Sequence, residues 1–178
     1  YANDPNDAGS ATNDGVTAPA ARQHGYAGAM QSLPKGMAQE IYIATYIKAT
    51  KFDRVLALSP AVGTKLVDIG VNAGPGRAAG WFQQSLNDLS RGGRDFDVVG
   101  VDGAIGPATL AAYQALERKR GKVKACELAL KLLDGYQTAH YTRLAQRHAN
   151  ASFLVGWVDH RIGNVPGSRC EETVGGAT

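Results

Sequence analysis

Asp4, Asp7, Thr12, Asn13, Asp14 and Thr17, side chains able to accept protons or hydrogen-bond a ligand, fall within fourteen positions near the start of the sequence. The segment reads YANDPNDAGSATNDGVT and carries no helical or alternating period. Backbone geometry, not helix phase, therefore sets where its carboxylates and hydroxyls point. That suits a loop of catalytic or binding type. It suits equally a set of Asx and Thr turns holding a surface loop, and the residues alone leave both readings open.

A second constellation lies in Asp68–Asn87, DIGVNAGPGRAAGWFQQSLN. A helix with Leu66, Ile69 and Gly70 on one side breaks at Asn72-Ala73-Gly74-Pro75-Gly76 and restarts with Ala78, Ala79, Phe82 and Leu86. Pro75 removes a backbone donor, and the flanking glycines allow dihedrals that other residues resist, so two helices meet at a tight corner. The corner brings the Asn72 amide and the Arg77 guanidinium toward one point, as a wall of a cleft would. A plain helix–turn–helix with a capping Asn accounts for the same letters.

Other chemistries find no support. The chain has no GxGxxG, P-loop, HExxH or GxSxG. Its four histidines, His24, His140, His148 and His160, are scattered and read as surface or packing residues. Cys126 and Cys170 make neither a disulfide framework nor a zinc spacing. Cys126 reads most simply as a small core residue; a bridge from it to the C-terminal tail stays open, and synthesis in the cytoplasm fits this cysteine usage.

The elements that must position these residues follow from the bulk pattern. At 178 residues, 44% hydrophobic and 20% charged, the chain is one globular domain or two small lobes. No apolar run is long enough to span a membrane, and nothing resembles a secretory signal. The first residue is Tyr1 and not Met, which predicts a longer parent chain. A net charge of +3 favours an anionic partner without choosing one. The densest basic cluster, Arg118-Lys119-Arg120 with Lys122 and Lys124, reads as a solvated helix end and is too short for a nucleic-acid recognition helix.

Helical spacing predicts one helix over residues 34–50, with Met37, Ile41, Ala44 and Ile47 inward and Glu40 on the surface. Ser59-Pro60 caps the helix that runs into the corner, and Gly106-Pro107 starts another. Between them Phe96, Val98 and Val101 suggest a loop or short hairpin. A long helix follows from Val123 to His148. A last amphipathic helix with Phe153, Leu154, Trp157, Val158 and Ile162 is expected to dock on the core, and the tail from Gly163 to be extended or mobile. The expectation is a mostly α fold of five or six helices with a polar N-terminal loop or short β-hairpin.

Three blocks together resemble a family. Residues 1–17 resemble the opening of the phage and bacterial N-acetylmuramidases of glycoside hydrolase family 108, which runs Glu-Gly-Gly-Tyr, Asn-Asp-Pro, a second Asp, Gly-Gly-Xaa-Thr and Gly-Ile-Thr. Residues 68–87 look like its Val-Asn-Xaa-Gly-Pro-Xaa-Arg-Ala segment with a following Gln-Xaa-Leu-Asn. Val101–Leu110, VDGAIGPATL, is similar to the start of its associated peptidoglycan-binding-like part, and Gly156-Trp157 with Arg161 echoes its end. Ser10-Ala11 departs from the family's Gly pair.

The resemblance implies a lysozyme-like helical fold. It divides the chain into a catalytic lobe over 1–90, a peptidoglycan-binding-like lobe over 91–165 and a tail over 166–178. The implied reaction is hydrolysis of the β-1,4 bond between N-acetylmuramic acid and N-acetylglucosamine, as in phage endolysins or wall-remodelling enzymes. The family's acid is the glutamate of Glu-Gly-Gly-Tyr, which would precede Tyr1. Asp7 is then the candidate base and Thr12 the residue holding the attacking water, with Thr17 as its alternative and Asp4 as a turn cap. Tyr1, Asn72, Arg77 and Gln83 are candidate substrate contacts, and Tyr46, with Tyr42 and Trp81, a candidate stacking surface; core packing explains the aromatics as well.

No metal or organic cofactor is implied. The implied partner is the glycan strand of bacterial peptidoglycan, met by a monomer without nucleic acid or stable membrane insertion. The protein is expected to be made in the bacterial cytoplasm and to act on the wall, in the periplasm, after release or export. A chain lacking the glutamate would instead be a non-catalytic peptidoglycan-binding module.

Overall fold

In a computed structural model, residues 12–13 and 15–172 are described. The chain forms two compact units, Tyr1–Thr50 and Lys51–Thr178.

In the first unit, β1 (Thr12–Asn13) and β2 (Val16–Thr17) pair antiparallel, with Thr12 opposite Thr17 and Asn13 opposite Val16. The front loop thus contains a two-residue-a-side hairpin, and its two candidate threonines are cross-strand partners. Val16 is fully buried and joins Ala21, Leu33, Ala38 and Ile41 in a small core edged by Tyr26, Met30 and Met37. The Asn13 amide donates to the Met30 carbonyl at 2.8 Å, tying the hairpin to that core. Thr17 Oγ1 accepts from the Ala20 amide at 3.4 Å and caps α1 (Ala18–Gln23).

The helix expected over 34–50 divides. α2 (Lys35–Tyr42) passes into a π-helical turn, Ile43–Lys48, where the Ala49 amide reaches the Ala44 carbonyl five residues back. The run Ile41-Tyr42-Ile43 and Thr45-Tyr46-Ile47 is rich in β-branched and aromatic side chains, which are weaker helix formers than straight-chain residues.

The second unit is built from α3 (Phe52–Leu58), α4 (Pro60–Ala73), α5 (Pro75–Leu89), α6 (Pro107–Arg120), α7 (Lys122–Ala145) and α8 (Leu154–Arg161). Its core is Phe52, Leu66, Ile69, Phe82, Leu86, Tyr113, Leu116 and Leu133, all buried. Ser59 Oγ accepts from the Val62 amide at 3.4 Å, with Pro60 opening α4. The corner forms where expected: Gly74, at φ +96°, ends α4, and Pro75 opens α5. The short helices α1 and α3, of six and seven residues, are too brief to display a period in the sequence.

No strand forms in residues 91–106. The Asn87 side chain replaces a partner strand, donating to the Val99 carbonyl and accepting from the Val99 amide, both at 2.8 Å. The basic end of α6 is paired as well as solvated. Asp95, with its side chain 4% exposed, takes Arg120 at 2.7 Å, Lys119 at 3.6 Å and Arg91 at 3.7 Å.

Two C-terminal expectations are corrected. Through residue 172 the tail is pinned: Val165 is buried, and Cys170 forms a disulfide with Cys126 of α7 across a sequence separation of 44. No residue of α8 is buried. It is held by Trp157, whose ring lies 5.1 Å from that of Tyr141 and 5.8 Å from that of Phe153.

Beneath this segment Lys65 is 1% exposed, and its ammonium donates to the Arg161 carbonyl at 2.6 Å and the Asn164 side-chain oxygen at 3.0 Å while pairing with Asp134 at 2.6 Å. Removing one member of such a pair leaves an uncompensated buried charge. Asp134→Asn is expected to cost about 3–5 kcal/mol in denaturant unfolding, and Lys65→Met with Asp134→Leu to cost less than that single change.

Candidate functional site

The sequence-derived site residues divide between the two units. Tyr1 and Asp7, with Asp4 and Asp14, lie outside the described residues, and Thr12 is described in its backbone. Thr17 spends its hydroxyl on the cap of α1. Tyr46, in the π-helical turn, lies 5.3 Å from the Tyr42 ring at 50°. Lys35, Ala38, Gln39, Tyr42 and Ile43 line a hollow of about 510 Å³ in the first unit.

In the second unit Asn72 and Arg77 are both exposed and both bind the last turns of α4. The Asn72 amide donates to the Asp68 carbonyl at 2.8 Å and to its carboxylate at 3.3 Å, and Arg77 donates to the Ala73 carbonyl. Asp68 also accepts from Arg161 at 2.9 Å through the same oxygen, while its other oxygen is buried with no partner among the described residues. The corner therefore gathers one carboxylate, one amide and two guanidiniums.

Gln83 has a different place. It is 1% exposed; its amide nitrogen donates to Asp102 at 2.7 Å, the Ala104 carbonyl at 2.9 Å and Thr109 at 3.2 Å, and its oxygen accepts from the Gly103 amide at 2.9 Å. With every donor and acceptor used inside the fold, it wires the 102–109 loop to α5 and has nothing to offer a glycan. The loop lies so close to the corner that a Cβ at Gly103, itself at φ +75°, would meet the Gly76 carbonyl oxygen at 2.9 Å. The Gln83 bonds also hold the Asp102 carboxyl below the usual range, followed by the Ala104 backbone amide.

Beside the corner runs a seam between α5 and α7 that the sequence reading missed, apart from Arg77 and Trp81. Trp81 lies nearly parallel to Tyr136, centroids 6.4 Å apart, and edge-on to His140 at 5.4 Å. Tyr136 donates to the Asp88 carboxylate, and burial followed by that bond pushes its hydroxyl up to about 12. Burial, followed by the charges of Arg77 and Arg143, holds His140 below its ordinary value. The signal was present as spacing: Arg77, Trp81 and Asp88 fall on one face of α5, and Tyr136, His140 and Arg143 on one face of α7.

A mostly helical architecture with a short front hairpin is that of a lysozyme-like fold. Residues 1–74 match the family described as Glycosyl hydrolase 108, and residues 77–162 match Predicted Peptidoglycan domain, so the Gly74-Pro75-Gly76 corner is also the junction of the two matches. The chain thus resembles a glycosyl hydrolase 108 segment followed by a peptidoglycan segment. The structure of Brucella abortus SagA is similar over 96% of this chain and 84% of that one, at 27% identity and a TM-score of 0.68. No curated protein matches the chain. Its function concerns peptidoglycan, and its place of action is the cell wall. Among the described residues no group of acidic, His or Cys side chains could hold a metal, and no helix is long and apolar enough to cross a membrane.

Two outcomes follow from these contacts. Gln83→Leu strips the Gly103 amide and Asp102 of their partner and is expected to lower stability by about 2–3 kcal/mol, read from urea unfolding. His140 binds its proton more weakly folded than unfolded, so its contribution to stability is present above the ordinary value of 6.5 and lost as pH falls below it. The melting temperature of His140→Phe is therefore expected to fall less than that of the parent between about pH 7.5 and 5.

Proposed function

We propose that the chain is an N-acetylmuramidase that hydrolyses the β-1,4 bond between N-acetylmuramic acid and N-acetylglucosamine. The observation that carries this reading is the tandem of a glycosyl hydrolase 108 segment and a peptidoglycan segment in one chain, joined at a single corner. Glycoside hydrolysis needs an acid to protonate the leaving oxygen and a second group to direct water or stabilise the oxocarbenium-like centre. The acid in this reading is the glutamate of a Glu-Gly-Gly ahead of Tyr1. Asp7 is the base, and Thr12, or its cross-strand partner Thr17, holds the water. Tyr1, Tyr46, Asn72 and Arg77 contact the glycan, the last two from the exposed corner. The catalytic lobe is taken as residues 1–90 and the binding lobe as 91–165.

The Cys126–Cys170 disulfide supports an oxidising place of work, as the periplasmic side of the wall provides. Export or release from the cytoplasm precedes that work, and the protein acts as a monomer.

The test is clearing of purified peptidoglycan by three proteins: the chain, the chain extended by Glu-Gly-Gly before Tyr1, and the extended form with Asp7→Asn. The extended form is expected to clear the suspension and, after borohydride reduction, to yield muropeptides ending in muramitol. Asp7→Asn is expected to slow clearing by about 10²–10⁴-fold. Reduced N-acetylglucosamine ends would overturn the bond assignment. Binding without clearing by the extended form would make the protein a wall-binding module.

A further inference from the structure

We propose that the solvent-facing seam between α5 and α7 is the site for the muramoyl-peptide part of peptidoglycan, with Trp81 and His140 against the sugar and Arg77 and Arg143 against a carboxylate of the lactyl or peptide stem. The proposal rests on the peptidoglycan reading above and names the part of the polymer that the second unit holds.

The seam is polarised. At one end Arg77 and Arg143 both act on His140, and neither has an ion-pair partner among the described residues. Arg77 has one donor on the Ala73 carbonyl, which leaves most of its fork for a carboxylate. At the other end Asp88 is engaged by Tyr136 and by Gln84 at 2.9 Å, so it does not neutralise the arginines. Between the ends, the rings of Trp81, Tyr136 and His140 are half-buried, a surface that packing against the core leaves partly open.

From Arg77 to Asp88 the helix rises about 16 Å, enough for a sugar and the start of its peptide. Two arginines that act on one imidazole, neither of them ion-paired among the described residues, favour a negatively charged ligand. Aromatic faces beside them take the apolar side of a sugar ring. N-acetylmuramic acid with its stem joins these two features, whereas chitin-type N-acetylglucosamine oligomers offer only the second.

The experiment uses the Trp157→Phe protein, in which Trp81 is the one indole, and follows its fluorescence on titration with N-acetylmuramyl-L-alanyl-D-glutamate or with chitotetraose. The muramyl peptide is expected to shift the signal at concentrations at least tenfold below those needed for chitotetraose. Arg77→Ala with Arg143→Ala is expected to weaken muramyl-peptide binding at least tenfold while leaving chitotetraose unchanged. Arg77→Lys with Arg143→Lys is expected to recover part of it, and all forms are checked for an unaltered melting temperature. Equal muramyl-peptide binding by the parent and the double alanine variant, with sacculi still bound, overturns the seam and leaves the peptidoglycan reading intact. Failure of the parent to bind sacculi at all overturns both.

Discussion

A lysine amine with no access to water is the constraint around which the second unit is arranged. The Lys65 ammonium has three hydrogens to place, and the structure supplies three acceptors: the Asp134 carboxylate, the Asn164 side chain and the Arg161 carbonyl. An ammonium taken out of water is stable only when paired and fully hydrogen-bonded, so α4, α7 and residues 161–164 must come together. Asp134 also accepts from the Gly163 amide at 3.2 Å, which fixes the chain direction after α8. The Arg161–Asp68 pair and the Cys126–Cys170 bridge lie on either side of this point in the chain. A segment with few apolar residues to bury is thereby kept on the molecule by polar and covalent links.

The corner of α4 and α5 inherits its shape from that arrangement. Asp68 is held from the far end of the chain by Arg161 and locally by Asn72, while Gln83 draws the 102–109 loop against Gly76. The exposed groups that remain, Asn72 and Arg77, are therefore carried on a rigid support braced on both sides. A glycan-binding surface benefits from such bracing because little side-chain freedom is left to lose on contact. The front hairpin is braced by the same means on a smaller scale, through buried Val16 and the Asn13 amide.

What could be read from the letters was local. Ser59-Pro60, Gly74-Pro75 and Gly106-Pro107 each state a dihedral or a missing donor within two residues, and each marks a helix boundary in the structure. What could not be read depends on partners distant in sequence. Nothing near Asn87 says that its amide will stand in for a strand opposite Val99, so a loop and a short hairpin fitted Phe96, Val98 and Val101 equally. Gln83 looked like a free polar group because Asp102, Ala104 and Thr109 lie 19 to 26 residues away. The tail looked loose because the links that hold it, Lys65 to Asn164 and Cys126 to Cys170, span 99 and 44 residues. In the candidate site, the resemblance pointed to the Asn72–Arg77 corner, but the α7 half of the neighbouring seam needed the helix pairing to be seen.

The bridge between Cys126 and Cys170 encloses α7 from Cys126 onward, the 3₁₀ turn His148–Phe153 and all of α8 in one covalent ring. Residues 146–148 and 151–153 of that ring are exposed and outside any α-helix, where a protease would cut first. A single cut there opens the ring without shedding either piece. Severed protein would stay together in oxidising surroundings and come apart only when a thiol reached the sulfurs.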